Sequence, residues 1–212
     1  MIDTATTVLD WFGVIVFAIT GSLVASRKQM DVVGFAMLGV ATGIGGGTLR
    51  DMLLGSLPVF WVQQPAYLAA CAFVSVLVFF TAHIPQSRYR FLLWLDAIGL
   101  ATFAATGAQK AAEAGANLAV AVVMGVITAT FGGIIRDLLG GESPIILRRE
   151  IYVSAALAGA ATFACLVALD VERQIALVMA FAIALSIRGA ALHYGWSLPR
   201  YRPRPGSDCS RE

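Results

Sequence analysis

Charge is scarce in this chain: Asp, Glu, Lys and Arg make up 13% of 212 residues, about half the share found in soluble domains, where it is roughly 25%. Histidine is scarcer still, with two copies, His83 and His193, 110 positions apart and without metal spacing. Cysteine occurs three times, an odd count, with Cys71 and Cys165 in apolar runs and Cys209 in the tail. That excludes a disulfide framework and a cysteine-based metal centre. No Ser-His-Asp set and no pair of catalytic acids survives the topology drawn below, so no enzyme, cofactor or resident metal is expected, and no nucleic-acid partner. The leader MIDTATTVLD contains no Lys or Arg, while Arg27 and Lys28 follow the first apolar run. A secretory signal has the opposite polarity, so that run is expected to stay as a membrane span.

What fills the chain is hydrophobic sequence, 58% of all residues. Runs such as WFGVIVFAITGSLVA (11–25), LAACAFVSVLVFFTA (68–82) and IALVMAFAIALSI (175–187) approach the roughly 20 residues that a helical span requires. Turn signals and charge clusters predict an all-α integral membrane protein of seven transmembrane helices, near 9–26, 33–55, 64–83, 92–112, 118–140, 151–170 and 173–193. Lys and Arg then set the orientation. With the N-terminus outside, one face receives Arg27, Lys28, Arg88, Arg90, Arg148, Arg149, Arg188, Arg200, Arg202, Arg204 and Arg211, and the other only Lys110 and Arg173. The positive-inside rule therefore places the C-terminus in the cytoplasm of a multi-pass protein of the inner (plasma) membrane. Trp11, Trp61, Trp94 and Trp196 fall near span ends, as interfacial aromatics do.

Two stretches stand out, GIGGGTLRDMLLG (43–55) and FGGIIRDLLGG (131–141). A shift of 86 positions superimposes them without a gap, and the register also aligns Asp10 with Asp96, Gly13 with Gly99, Phe17 with Phe103, Thr42 with Thr128 and Pro58 with Pro144. Each copy holds three spans, an odd number, so the second enters the membrane from the opposite side. The expected architecture is an inverted repeat of two three-helix units plus a seventh helix, with the functional path along the repeat interface. In domain terms, residues 1–195 form the seven-helix transmembrane domain: repeat one about 9–85, repeat two about 92–171, seventh helix about 173–193. Residues 196–212, rich in proline and arginine, form a flexible cytoplasmic tail drawn to anionic membrane lipids.

Three consecutive glycines weaken a helix by about 1 kcal/mol each relative to alanine. Gly45, Gly46 and Gly47, with Gly132 and Gly133 in the second copy, are thus expected to bend or break their spans, or else to let helices pack closely. A charge at mid-bilayer costs at least about 2.5–3.5 kcal/mol, so Arg50, Asp51, Arg136 and Asp137 must face a cavity or a partner. Neighbouring helix positions point about 100° apart, so each charge is expected to find its partner on another helix. The expected pairs are Asp10 with Arg50 on the outer side and Asp96 with Arg136 on the inner side. A helix end at Gly45–Gly47 would turn free carbonyls toward a cation. Thr20, Ser22, Thr42, Thr48, Thr106 and Thr128 either add oxygen ligands or bond back to their own helices. A dinucleotide loop is excluded at GIGGGTLR because no strand precedes it. The small residues of AALAGAATFA (155–164) suit tight helix contact.

The doubled GGGTLRD and GGIIRD, seven spans and two three-span repeats with a closing helix resemble the prokaryotic branch of the trimeric intracellular cation channels, the TRIC family, over about residues 8–195. The resemblance implies a homotrimer with a pore in each protomer, passing potassium and other monovalent cations. The pore would be lined by the first, second, fourth and fifth spans and bend at Gly45, Gly46, Gly47, Gly132 and Gly133, beside Arg50, Asp51, Arg136 and Asp137. Phe131 stands where the first copy has Gly45, so the two bends need not be equivalent. A cation pore tolerates these arginines if aspartates match them. The same arginines support a rival, a secondary transporter of a small solute such as glycine, in which Arg50 or Arg136 grips the carboxylate. A dry ion-pair scaffold is the third possibility.

Overall fold

A computed structural model describes residues 4–82, 88–147 and 150–197. Cys209, His83, the Arg88 side chain, Arg148, Arg149, Arg200, Arg202, Arg204, Arg211 and the tail from 198 onward lie outside the described residues. Long apolar stretches leave the backbone no partner in lipid but itself, and among the described residues every extended element is helical: α1 (Thr4–Arg27), α2 (Val32–Leu54), the single turn α3 (Phe60–Gln63), α4 (Ala66–Thr81), α5 (Arg88–Glu113), α6 (Leu118–Leu139), α7 (Val153–Ala168) and α8 (Arg173–Tyr194), with a 3₁₀ turn at Ile145–Leu147. Five of these, α1, α2, α5, α6 and α8, are long and apolar enough to cross a membrane. The third helix of each repeat is shorter than expected: α4 and α7 have 16 residues each, about 24 Å at 1.5 Å per residue. Each begins two residues later and ends two residues earlier than its predicted span.

The repeat is legible in the end chemistry of the helices. Asp31 caps α2 by accepting from Gly34 N, and its repeat mate Asn117 caps α6 by accepting from Val120 N, both at 2.8 Å. After each motif the chain turns through a glycine at positive φ, Gly55 (67°) and Gly141 (64°). There Ser56 N donates to Asp51 O and Glu142 N to Asp137 O, so that the last helical carbonyls are satisfied in the same way twice.

Helices α1, α2 and α4 pack as one three-helix unit and α5, α6 and α7 as the other, with α8 against α5 and α7. The units meet reciprocally. A Cβ on Gly13 would press on Phe103, and one on Gly99 on Phe17; a Cβ on Gly46 would strike Thr128 O, and one on Gly132 would strike Thr42 O. Each of these contacts maps onto the other under the 86-residue shift, as a two-fold axis between the units requires. The expectation that a helix ends at Gly45–Gly47 is overturned: α2 and α6 run unbroken through their glycines. Close approach is the reason, because the backbone of each helix rests where a side chain of the other would stand.

Candidate functional site

Arg50 lies near the C-terminal end of α2, 3% exposed at its side chain. Its Nε and Nη2 donate to Asp51 Oδ1 at 2.9 and 2.7 Å, and Asp51 Oδ2 accepts from the backbone N of Phe60 at 2.9 Å. The second motif repeats the arrangement: Arg136 Nε donates to Asp137 Oδ1 at 2.9 Å, and Asp137 Oδ2 accepts from Ile145 N at 2.8 Å. The expectation that adjacent Arg and Asp cannot neutralise each other is therefore corrected. Helical geometry separates their Cβ atoms, but the guanidinium stem is long enough to fold back over the helix end. The aspartate then clamps the returning chain as well.

Of the two expected interhelical pairs, one forms and one does not. Arg136 Nη1 donates to Asp96 Oδ1 at 2.6 Å, both side chains 0% exposed, and also to Thr20 Oγ1 at 3.3 Å. Asp10, the mate of Asp96, pairs through Oδ2 with Lys110 and not with Arg50. The cause is in the sequence of α5: Lys110 reaches Asp10, whereas the equivalent position in the first unit is Val24, which has no charge to offer Asp96.

Asp10, Arg50, Asp51 and Lys110 come together around a cavity of about 840 Å³, whose wall also includes Thr6, Phe60, Tyr67 and Glu113. The Phe60 ring forms an apolar floor. It lies 2.7 Å from where a Gly47 Cβ would be, and Arg50 and Lys110 sit 6.0 and 5.9 Å from its centroid. Gly45 faces Ile135 and Gly133 faces the Tyr152 hydroxyl. The buried Thr42 and Thr128 hydroxyls donate to Leu38 O and Met124 O at 2.6 Å each, and Thr20, Ser22 and Thr48 likewise bond back to their own helices. Asp96, Arg136 and Asp137 stand in a separate buried cluster and take no part in the cavity wall.

Comparison with known proteins shows the family and the fold. A family model described as "Glycine transporter" matches the chain twice, over residues 7–83 and 93–168. The inner membrane protein YadS of Escherichia coli is 43% identical over 91% of this chain and 94% of its own length, and YvgT of Bacillus subtilis is 35% identical over 90% and 94%. Among solved structures, the TRIC trimeric intracellular cation channel orthologue from Rhodobacter sphaeroides superimposes with a TM-score of 0.90 at 61% identity, covering 92% of this chain and all of that one. The chain belongs to the prokaryotic branch of the TRIC family. A second prokaryotic TRIC channel, solved in 0.5 M KCl, is 32% identical with a TM-score of 0.85 over 91% of this chain and 98% of its own. These TRIC relatives are channels and not enzymes.

In this TRIC chain the site includes residues that sequence reasoning passed over. Lys110, which the charge balance treats only as one of two positive charges on the outer face, is the ion partner of Asp10. Arg188 was counted among the cytoplasmic positive charges. The structure buries it in α8, with Glu150 Oε2 at 2.5 Å, Ile151 O at 3.3 Å and the Tyr152 ring 5.2 Å from its guanidinium carbon. Tyr67 and Tyr152 are a further matched pair, hidden because the register slips from 86 to 85 within the loop after each motif. The same slip takes the Asp51 clamp from Phe60 to Ile145 in the second copy. Allowing one gap would have found both tyrosines.

Proposed function

We infer that the protein is a monovalent cation channel, potassium-preferring, with a pore through each protomer of a homotrimer in the inner membrane. Its N-terminus is outside and its C-terminus cytoplasmic, with residues 1–195 as the channel unit and 196–212 as a cytoplasmic tail. The observation that carries this reading is the charge arrangement of the cavity. Each cation there is already matched, Arg50 by Asp51 and Lys110 by Asp10, and Glu113 on the same wall adds a further carboxylate. A wet cavity with surplus negative charge concentrates cations. From its floor at Phe60 the route continues past Gly45, Gly46 and Gly47 to Gly132 and Gly133, where α2 and α6 touch backbone to side-chain-free backbone. An interface of that kind slides or bends without a side chain having to be withdrawn, and gating is assigned to it. Asp96, Arg136 and Asp137 close the opposite end. Thr42 and Thr128 line the crossing with their carbonyls.

The carrier reading is favoured by the description of the family model and by an arginine in the cavity. Against it, Arg50 spends Nε and Nη2 on Asp51, so its charge is already matched and its side-on two-pronged face is taken by the neighbouring carboxylate. Purified protein in a planar bilayer separates the possibilities. Discrete unitary potassium currents with a potassium-over-sodium reversal potential are expected. Saturable glycine uptake without unitary currents would replace the channel with a carrier, and neither activity would leave a structural scaffold.

A further inference from the structure

At the closed end of the path stands a tyrosine that the repeat supplies twice and places differently. A Cβ on Gly133 would meet the Tyr152 hydroxyl at 2.7 Å, with Arg136 Nη2 and Asp96 Oδ1 each at 3.6 Å. Tyr152 therefore occupies the space that a side chain on α6 would need, over the glycine and beside the buried Arg136–Asp96 pair. Its mate Tyr67 stacks on Trp11, with ring centroids 4.0 Å apart, and borders the open cavity.

The helix outside the repeat makes the difference. It packs against α5 and α7, and its Arg188, 1% exposed at the side chain, takes hold of three consecutive residues. Nη2 donates to Glu150 Oε2 at 2.5 Å, Nη1 donates to Ile151 O at 3.3 Å, and the guanidinium carbon lies 5.2 Å from the Tyr152 ring centroid. Tyr152 N donates to Glu150 O at 2.9 Å, which tightens the same turn. A planar fork of donors fixes a carboxylate and a backbone carbonyl at once, as a point charge does not. We propose that Arg188 is a positioning residue for the gate: it sets Tyr152 as a stopper over Gly133, so that α8 keeps this end shut. The proposal rests on the channel reading and gives the one helix without a repeat mate a task in it.

Two variants of the full chain test it by separate routes. Glu150→Gln weakens the hold of Arg188 at a side chain that is 28% exposed, and Gly133→Ala pushes the tip of the tyrosine aside with one methyl group. In planar bilayers each should raise open probability about tenfold, the factor that loss of one charge-assisted hydrogen bond allows. Tyr152→Phe added to Gly133→Ala removes the clashing hydroxyl and should return open probability to the natural value, a rescue that a general loosening of α6 would not give. A second readout needs no currents. With the natural cysteines replaced by alanine and Thr20→Cys placed beside Arg136, a water-soluble methanethiosulfonate should react about tenfold faster once Glu150→Gln or Gly133→Ala is present. Should one of the two fail to fold, the other carries the test. Unchanged open probability and labelling, or a Gly133→Ala effect that Tyr152→Phe leaves in place, would overturn the stopper. Labelling that responds while every form lacks currents rejects the channel and keeps the stopper; currents that ignore the variants do the reverse.

Discussion

The two Arg-Asp motifs share their sequence, their internal ion pair and their clamp on the following loop, but the first lines a cavity while the second is sealed from solvent. The difference comes from the third partner. Asp96 adds a second carboxylate to Arg136 in the dry core, whereas Asp10 is drawn to Lys110 and Arg50 is left at a cavity wall with Asp51. An inverted repeat offers each half of the molecule the same parts, and one unmatched side chain, Lys110 opposite Val24, is enough to give the two ends different jobs. In the channel reading one end admits ions and the other holds the path shut.

The largest test of that contrast is Asp96→Asn against Asp10→Asn. Removing one partner of a fully buried ion pair costs about 3–5 kcal/mol, and the lower figure is expected here because Asp137 still holds Arg136. Asp10→Asn loses one charge-assisted contact at a cavity wall, about 1–2 kcal/mol. Thermal unfolding in detergent should rank Asp96→Asn as the more damaging, and equal shifts would erase the distinction between the ends. The glycine crossing should behave in the opposite way, alike on both sides. Gly46→Ala and Gly132→Ala each drive a methyl group into the facing carbonyl, at the upper end of the overpacking range, about 3 kcal/mol, with altered open probability. A loss confined to one of them would mean that the crossing is not shared.

Lys110→Gln leaves the cavity with more uncompensated carboxylate. Unitary conductance at low salt should rise roughly twofold and the gain should fade near 1 M, where charges are screened beyond about 3 Å; a gain that ignores ionic strength would not be electrostatic. The smallest effects are expected from Thr42→Val and Thr128→Val. Each loses a bond to its own helix, under about 1 kcal/mol, and unitary conductance should hold. A marked fall would make the hydroxyls ion ligands after all.

Much of this could be read along the chain. Helix number, the repeat, the caps at Asp31 and Asn117 and the pair Asp96–Arg136 follow from patterns that are local or are copied at a fixed interval. The pair Asp10–Arg50 was misassigned because symmetry predicts like partners for like residues, and it has no means of weighing a lysine 100 residues away. Whether α2 and α6 break at their glycines or pack closely through them stays open in the sequence for a related reason. Helix propensity counts three glycines as a weakness, and only the neighbouring helix turns them into a fitted contact.

Sequence alone determined what the membrane and the backbone demand: apolar lengths, an odd number of spans per copy, and charges too costly to leave without partners. Tertiary structure decided which partner each charge took, where water reaches, and that the glycines join two helices instead of breaking them. Those outcomes depend on distances between segments far apart in the chain, and an ion pair or a backbone contact forms or fails over an ångström or two, a scale that composition and spacing do not resolve.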